Sequence, residues 1–176
     1  NTGPIYFIYK ILHCIKISVE LKKKYPKYNF VPVFWMASED HDFEEIKSFQ
    51  TKNKKFEISY NDKNFCTGRI MPKNLNKIIS ELESYFQNKP FNDEIISLFK
   101  KAYNKDINLS ESTRLIVHSL FKDYGLISID ADDHKLKSSF KKILIDEVNN
   151  FTCHNYVSAT NDKISALLDE KIKFQV

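Results

Sequence analysis

The chain has 176 residues, of which 42% are hydrophobic and 28% charged, so it can form one domain with a real core and is not a disordered chain. Its formal net charge is only +4, which does not by itself imply a nucleic-acid or membrane partner, and we expect neither. The three widely spaced cysteines fit a reducing compartment. Without a signal peptide or a long apolar segment, a cytoplasmic protein is expected.

The first predicted element is a helix from Pro4 to about Lys24, because apolar residues recur there at helical spacing. Thr2 and Gly3 precede the proline, which favours the first turn of a helix. Backbone N–H groups at this point could hold a phosphate or a carboxylate, as at other helix N-termini. A plain turn explains the Thr-Gly-Pro sequence equally well.

The second element is an apolar run from Phe30 to Ala37, which is typical of a strand buried on both faces of a parallel sheet. Pro32 is expected at the beginning of the strand or on a sheet edge. Ser38 follows as a predicted helix N-cap, with four ionisable residues in the first turn: Glu39, Asp40, His41 and Asp42. Ligands of open parallel sheets bind beyond the carboxyl ends of strands, so this cluster predicts an active-site edge. Alternatively, the acids only complement a helix dipole.

The rest of the chain reads as a hairpin, several helices and a second strand. The predicted segments are 47–51 paired with 56–60, helices at 75–86, 93–103 and 111–124, a strand at 125–130, a helix from about 136, and a last helix from 162. The helix at 111–124 is expected to stop at Gly125, a favourable C-terminal cap position. Asp130 ends the second strand, and Asp132 and Asp133 are expected to cap the helix that follows. We therefore predict an α/β fold with domains at 1–150 and 151–176.

Three stretches together resemble the bacillithiol-biosynthesis cysteine-adding enzymes, a family described as cysteine ligases. They are Thr2-Gly3-Pro4 with the start of the first helix, the run N-F-V-P-V-F-W-M-A-S-E-D-H-D-F-E-E-I from Asn29 to Ile46, and Leu120–Leu126 continuing to Asp130 and Asp132. Members of this family are considerably longer, so the chain resembles an internal portion whose activity is expected only from the whole protein.

The resemblance implies a partial Rossmann-like parallel sheet with helical insertions and the start of a C-terminal coiled-coil helix. The implied reaction adds cysteine to glucosamine-malate and forms bacillithiol. Because hydroxide is a poor leaving group, the carboxyl group must be activated, and ATP is the expected energy source. A homodimer through the C-terminal helix is also expected.

Applied to this chain, the resemblance suggests roles for the acidic turn and its neighbours. His41 could stabilise an oxyanion or act as general base towards the cysteine amine, with Asp40 or Asp42 fixing its tautomer. Glu39 could bind the substrate ammonium or sugar hydroxyls. The remaining predicted substrate-binding residues are Thr2, Gly3, Ser38, Arg69 and Asp130, of which Arg69 is equally well explained as a surface arginine.

Two other classes of function stay open on the sequence alone. The oxygen and imidazole donors of Glu39–Asp42 could hold a divalent cation in a metal-dependent hydrolase, although consecutive ligands are awkward and Asp130 would have to join them. A non-catalytic helical interaction module is the second alternative, because an apolar stripe from Ile164 to Ile172 could pair with another chain. The histidines outside the acidic turn have no metal-ligand spacing, and no metal is expected.

Overall fold

The computed structural model describes residues 4–60, 66–103 and 106–167 of the chain. It divides into two compact units, Asn1–Asp132 and Asp133–Val176. The elements of the first unit are α1 (Pro4–Lys24), β1 (Val33–Met36), α2 (Phe43–Ile46), β2 (Ser48–Gln50), β3 (Lys55–Glu57), α3 (Leu75–Tyr85), α4 (Asn92–Ala102), α5 (Leu109–Phe121) and β4 (Ile127–Asp130). The second unit contains α6 (His134–Ser139), α7 (Lys141–Asn150) and α8 (Thr152–Leu167).

Helix α1 confirms the first prediction. Its last turn carries three lysines, which favour the negative end of the helix dipole. The buried Ile11 and Ile15 pack against Val117 and Phe121 of α5 and form one of the two cores of the unit. Phe34 of β1 also packs on this core, with its ring edge-on to Phe7 at 5.1 Å between centroids. One face of β1 is therefore covered by α1 and α5.

Strands β1 and β4 pair in parallel, with Val33 opposite Ile127 and Met36 opposite Asp130. This confirms the predicted parallel sheet and places Pro32 just before the strand, where its missing N–H costs no ladder bond. The expected burial on both faces is wrong for the described residues, because Val33 is 42% and Trp35 58% exposed whereas Met36 is 3% exposed. In the described part of the chain, α1 and α5 cover the Phe34 face of the sheet, and Val33 and Trp35 on the other face are largely exposed.

The segment between the two parallel strands forms a second core. Strands β2 and β3 make the predicted antiparallel hairpin, with Phe49 opposite Phe56. Phe56 packs against the apolar faces of α3 and α4, and the buried members of this core are Phe56, Leu75, Ile78, Ile79, Leu82 and Ile96. The inserted helices thus have their own apolar interior, and the chain returns through α5 to the parallel sheet.

The turn between α5 and β4 is as predicted. A short 3₁₀ turn at Lys122–Tyr124 follows α5, and Gly125 then adopts a left-handed conformation with φ +70°. Glycine reaches this region without the steric cost that a Cβ would impose. Gly125 therefore ends the helical segment and directs the chain into β4.

The second unit differs from the sequence predictions in two places. The helix expected from about residue 136 is divided at Phe140, whose N–H bonds three residues back to Lys137 and so breaks the α-helical ladder. The last helix begins at Thr152, ten residues before the predicted start, because the Glu147 carboxylate accepts the N–H groups of Cys153 and His154 and caps it. Residues 168–176 lie outside the described part, so the coiled coil stays a prediction. The domain division at 150 also stays a prediction.

Candidate active site

The parallel pairing brings two polar segments to one edge of the sheet. Ser38 follows β1 by two residues, and Asp130 is the last residue of β4. Because both strands run in the same direction, their carboxyl ends meet, as ligand sites in open parallel sheets require. The candidate site is therefore assembled from residues that are about ninety positions apart in the sequence.

The centre of this edge is the carboxylate of Asp130. The hydroxyl of Ser38 donates to one of its oxygens, and the hydroxyl of Ser110, in the first turn of α5, donates to the other at 2.5 Å. The backbone N–H of Asp132 is 2.9 Å from the first oxygen and 3.1 Å from the Ser38 hydroxyl oxygen. Both serines are buried, with exposed fractions of 5% for Ser38 and 8% for Ser110.

This arrangement keeps Asp130 ionised. Burial by itself would raise the pKa of the carboxyl group, but hydrogen bonds from Ser110, Ser38 and the Asp132 N–H stabilise the charged form and lower the pKa below its usual value. The carboxylate is thus an acceptor whose geometry is set by three partners, which lie after β1, on α5 and after β4.

The acidic turn does not form the helix expected from the sequence. Residues 38–42 are in turn and coil conformation, and α2 begins only at Phe43. Ser38 is no helix cap, because its side chain is directed to Asp130. The cap is Asp42, whose carboxylate accepts the Glu45 N–H at 3.3 Å. Asp42 therefore stabilises a helix N-terminus, the kind of structural role that the alternative explanation of the acidic cluster predicted.

The other members of the turn are more accessible. Asp40 accepts the N–H of Asp42 at 3.1 Å, and this backbone hydrogen bond is the main cause that lowers the pKa of Asp40. The Nδ1 atom of His41 lies 3.8 Å from Asp40 Oδ1, and the His41 side chain is 87% exposed. Glu39 is also exposed. His41 and Glu39 can therefore reach a bound molecule without any rearrangement of the core.

A second loop, Thr67–Arg69, lies against the acidic turn. The Gly68 N–H donates to the Ser38 carbonyl at 2.9 Å, and the Thr67 N–H donates to the Asp40 carbonyl at 2.6 Å. Arg69 binds the carboxylate of Asp132 through Nε at 2.5 Å and Nη2 at 2.9 Å. This pairing is the main reason that the pKa of Arg69 is raised. Two N–H groups of the guanidinium are thus bound to the protein, and the Arg69 side chain is 58% exposed.

The structure brings together Ser38 and Asp130 directly, and Arg69 joins them through Asp132. Thr2 and Gly3 lie outside the described residues. Asp133 caps α6 as predicted, by accepting the N–H groups of Lys135 and Leu136, whereas Asp132 pairs with Arg69 and is not a cap of that helix.

Sequence reasoning missed Ser110 and Gly68. Ser110 is a serine in the first turn of a helix, a common position that carries no sign of a partner twenty residues away. Gly68 is one of only three glycines in the chain, and this low number could have indicated a position that requires glycine.

A groove with a volume of about 350 Å³ runs beside β1 and reaches Ala37, the residue before the acidic turn. Its walls are mainly apolar and include Phe7, Cys14 and Trp35, with Lys10 as a charged member. The size falls in the range of small-molecule sites. The side chains of the acidic turn are not part of its lining.

Among residues 4–60, 66–103 and 106–167, no three His, Cys, Asp or Glu side chains form a cluster that could hold a metal ion. Asp130, the additional donor that a metal-dependent hydrolase would need, has both carboxylate oxygens hydrogen-bonded to serines. The donor set of the described residues therefore gives the hydrolase alternative no support. In the same residues, no helix is long and apolar enough to cross a membrane.

These features define an α/β domain of Rossmann-like type with a polar site at the carboxyl edge of its parallel strands. The family model "Bacillithiol biosynthesis BshC, N-terminal Rossmann-like domain" matches residues 1–176. The chain belongs to this family, which confirms the resemblance and the predicted fold class.

Several relatives carry the name "Putative cysteine ligase BshC". The protein of Flavobacterium johnsoniae is 40% identical over 163 residues, covering 93% of this chain and 31% of the relative. That of Christiangramia forsetii is 36% identical over 169 residues, covering 94% and 31%, and that of Chlorobium phaeobacteroides is 30% identical over 175 residues, covering 96% and 31%. The chain thus spans about a third of the length of these relatives.

Proposed function

We propose that this chain supplies the Rossmann-like part of a cysteine ligase that adds cysteine to glucosamine-malate in bacillithiol biosynthesis. The name of its relatives supports the class of reaction. One observation supports the assignment of particular residues. His41 is accessible and lies in a turn at the carboxyl edge of the parallel sheet, close in sequence to Ser38, which is buried and bonded to Asp130. That edge is where substrates of such sheets bind.

The chemistry requires an amine to displace the leaving group of an activated carboxyl. As the new C–N bond forms, the nitrogen loses a proton, and we assign His41 to accept it. Asp40 is the carboxylate nearest to His41, and a small closure of the 3.8 Å separation would let it orient the imidazole and stabilise its charged form. Glu39 is assigned to the substrate ammonium or sugar hydroxyls.

The residues of the inner layer have a different task in this proposal. Asp130 and Ser38 form the fixed floor of the site, and Asp42 holds the beginning of α2. The exposed part of the Arg69 guanidinium is assigned to an anionic group of the substrate, beside its ion pair with Asp132. ATP would supply the carboxyl activation, and Thr2 and Gly3 are assigned to an anion at the N-terminus of α1.

The test is product formation by the full-length protein. Purified enzyme is incubated with cysteine and glucosamine-malate, with and without ATP, and bacillithiol is measured by mass spectrometry. Product that requires both substrates and ATP is the expected result. Absence of product with all three would contradict the assignment, and product without ATP would contradict the proposed activation.

We also propose that the protein acts in the cytoplasm and forms a homodimer through its C-terminal helix. The apolar side chains exposed on α8, namely Tyr156, Val157 and Leu167, support such a contact. Light scattering of the full-length protein should give twice the chain mass. Replacement of these three residues by serine should give the monomer mass, and an unchanged dimer would contradict the proposed interface.

A further inference from the structure

We propose that the Thr67–Arg69 loop is a clamp that positions the acidic turn, and that Gly68 and the Arg69–Asp132 ion pair are its positioning residues. This inference rests on the proposed function, because it assigns the clamp to the turn that carries His41. The clamp joins the exits of both parallel strands, since the loop contacts residues 38–40 after β1 and Asp132 after β4.

The first part of the clamp is a close backbone contact. Thr67 and Gly68 donate their N–H groups to the carbonyls of Asp40 and Ser38, so the loop holds the acidic turn on both sides of Glu39. At Gly68 the chains approach so closely that a Cβ would lie 2.6 Å from the Ser38 Cβ and 2.7 Å from the Ser38 carbonyl oxygen. Only glycine fits this position without a shift of the turn.

The second part is the ion pair. The guanidinium of Arg69 makes two hydrogen bonds with the Asp132 carboxylate, whose side chain is only 8% exposed. The N–H of Asp132 in turn contacts the Ser38 hydroxyl and Asp130. Arg69 therefore connects the loop to the same Ser38 that Gly68 contacts through the backbone.

The third part anchors the loop to the body of the domain. Ile70 is 1% exposed, and its carbonyl accepts the Leu109 N–H at the start of α5 at 3.0 Å. Ser110 in the same helical turn binds Asp130. Because Ile70 fixes this end of the loop to the start of α5, the position of α5 also determines where the loop holds the acidic turn. In enzymes generally, a misplacement of a reacting group by about 1 Å can lower turnover by about 100-fold, so a small shift of His41 should have a measurable effect.

The structural consequence is tested by hydrogen–deuterium exchange on the full-length protein. Gly68→Ala should increase exchange in peptides that cover residues 37–43 and 66–70. The matched control is Gly125→Ala, which is strained by its positive φ but has no atom within 4 Å of the added Cβ and lies at the opposite end of β4. Unchanged exchange in Gly68→Ala, or an equal increase in both variants, would overturn the clamp.

The catalytic consequence is tested by kinetics of the same variants. Gly68→Ala should lower kcat by at least about tenfold, and any rise in KM should be smaller than this loss, because positioning affects the transition state more than ground-state binding. Gly125→Ala should keep kcat near the wild-type value. A Gly68→Ala enzyme with increased exchange but normal kcat would overturn the positioning role.

The ion pair has its own matched control in the other arginine of the chain. Arg114 makes a similar two-bond pair with Glu111 on α5. Arg69→Gln and Asp132→Asn should lower kcat to a similar degree, and these kcat losses should not be additive in the double variant, whereas Arg114→Gln should have little effect. Arg69→Gln should in addition raise KM, because its guanidinium is also assigned to the substrate anion. Additive losses of kcat, or a loss of kcat in Arg69→Gln alone, would overturn the role of the pair. If the wild-type protein forms no bacillithiol, the proposed function fails, and the exchange experiment still decides the clamp.

Discussion

Ser38 and Asp130 are hydrogen-bonded to each other across 92 positions of sequence, at the carboxyl ends of two parallel strands. The bond links the exit of β1 to the exit of β4 and replaces the helix-capping role that the sequence predicts for Ser38. With Ser110 as the second hydroxyl donor, it makes an ionised aspartate the floor of the candidate active site.

The Asp130 carboxylate should stabilise the fold in a pH-dependent way. Because its pKa in the folded protein lies below the ordinary value of 3.8, its contribution is complete above about pH 4 and is lost as the pH falls through the lowered pKa. Asp130→Asn should therefore lower the unfolding free energy of the full-length protein by about 1 kcal/mol at pH 7, after allowance for its partial exposure. The difference from wild type should shrink by pH 3, measured by urea denaturation.

The control for this prediction is Asp123→Asn, since Asp123 is an exposed aspartate in the 3₁₀ turn after α5. It should leave the urea midpoint unchanged at both pH values. An Asp130→Asn effect of the same size at pH 7 and pH 3 would show that the charge of Asp130 is not what stabilises the fold.

Asp42 should act as a helix cap. Asp42→Ala should destabilise the full-length protein by about 1 kcal/mol, because the Glu45 N–H loses its acceptor, while Asp42→Asn retains a capping oxygen and should cost only a few tenths. Thermal unfolding compares the stabilities, and the ligase assay compares the activities. Turnover should survive in Asp42→Asn. A stable Asp42→Asn protein without turnover would assign the carboxylate to the chemistry instead.

The stability of the core between β2 and α4 should depend on the buried face of α4. Ile96 is 3% exposed and packs with α3, whereas its neighbour Ile95 is 47% exposed. Ile96→Ala should cost about 2–5 kcal/mol of unfolding free energy because it leaves a cavity. Ile95→Ala should cost about 0.5 kcal/mol or less, as exposed substitutions usually do. Equal urea midpoints for the two variants would contradict the packing of α4.

The sequence was most informative where a pattern is local. The apolar spacing of α1, the run into β1 and the glycine after α5 each reflect the chain within a few residues, and the structure confirms them. The ends of the helices near the acidic turn and around Phe140 were less predictable. The start of α2 depends on the side chain of Asp42, which accepts a backbone N–H, and the division at Phe140 depends on one backbone hydrogen bond to Lys137.

The candidate site was predictable in its position but not in its connections. The order of strands and polar residues was enough to place Ser38–Asp42 and Asp130 at one edge. The bond from Ser110 to Asp130 and the pair of Arg69 with Asp132 join residues 20 and 63 positions apart, and only the packing of α5 and the 67–69 loop brings them together. A local pattern in the sequence does not predict contacts over such separations.

We propose that the accessible imidazole of His41 carries out the proton transfer of a cysteine ligase. The most direct measurement compares bacillithiol formation by full-length wild type, His41→Ala and His13→Ala, with His13 as an exposed histidine on α1 and therefore a matched control. His41→Ala should remain folded and lose at least about 100-fold in kcat, while His13→Ala should stay near wild type. A folded His41→Ala enzyme with near-normal turnover would contradict it.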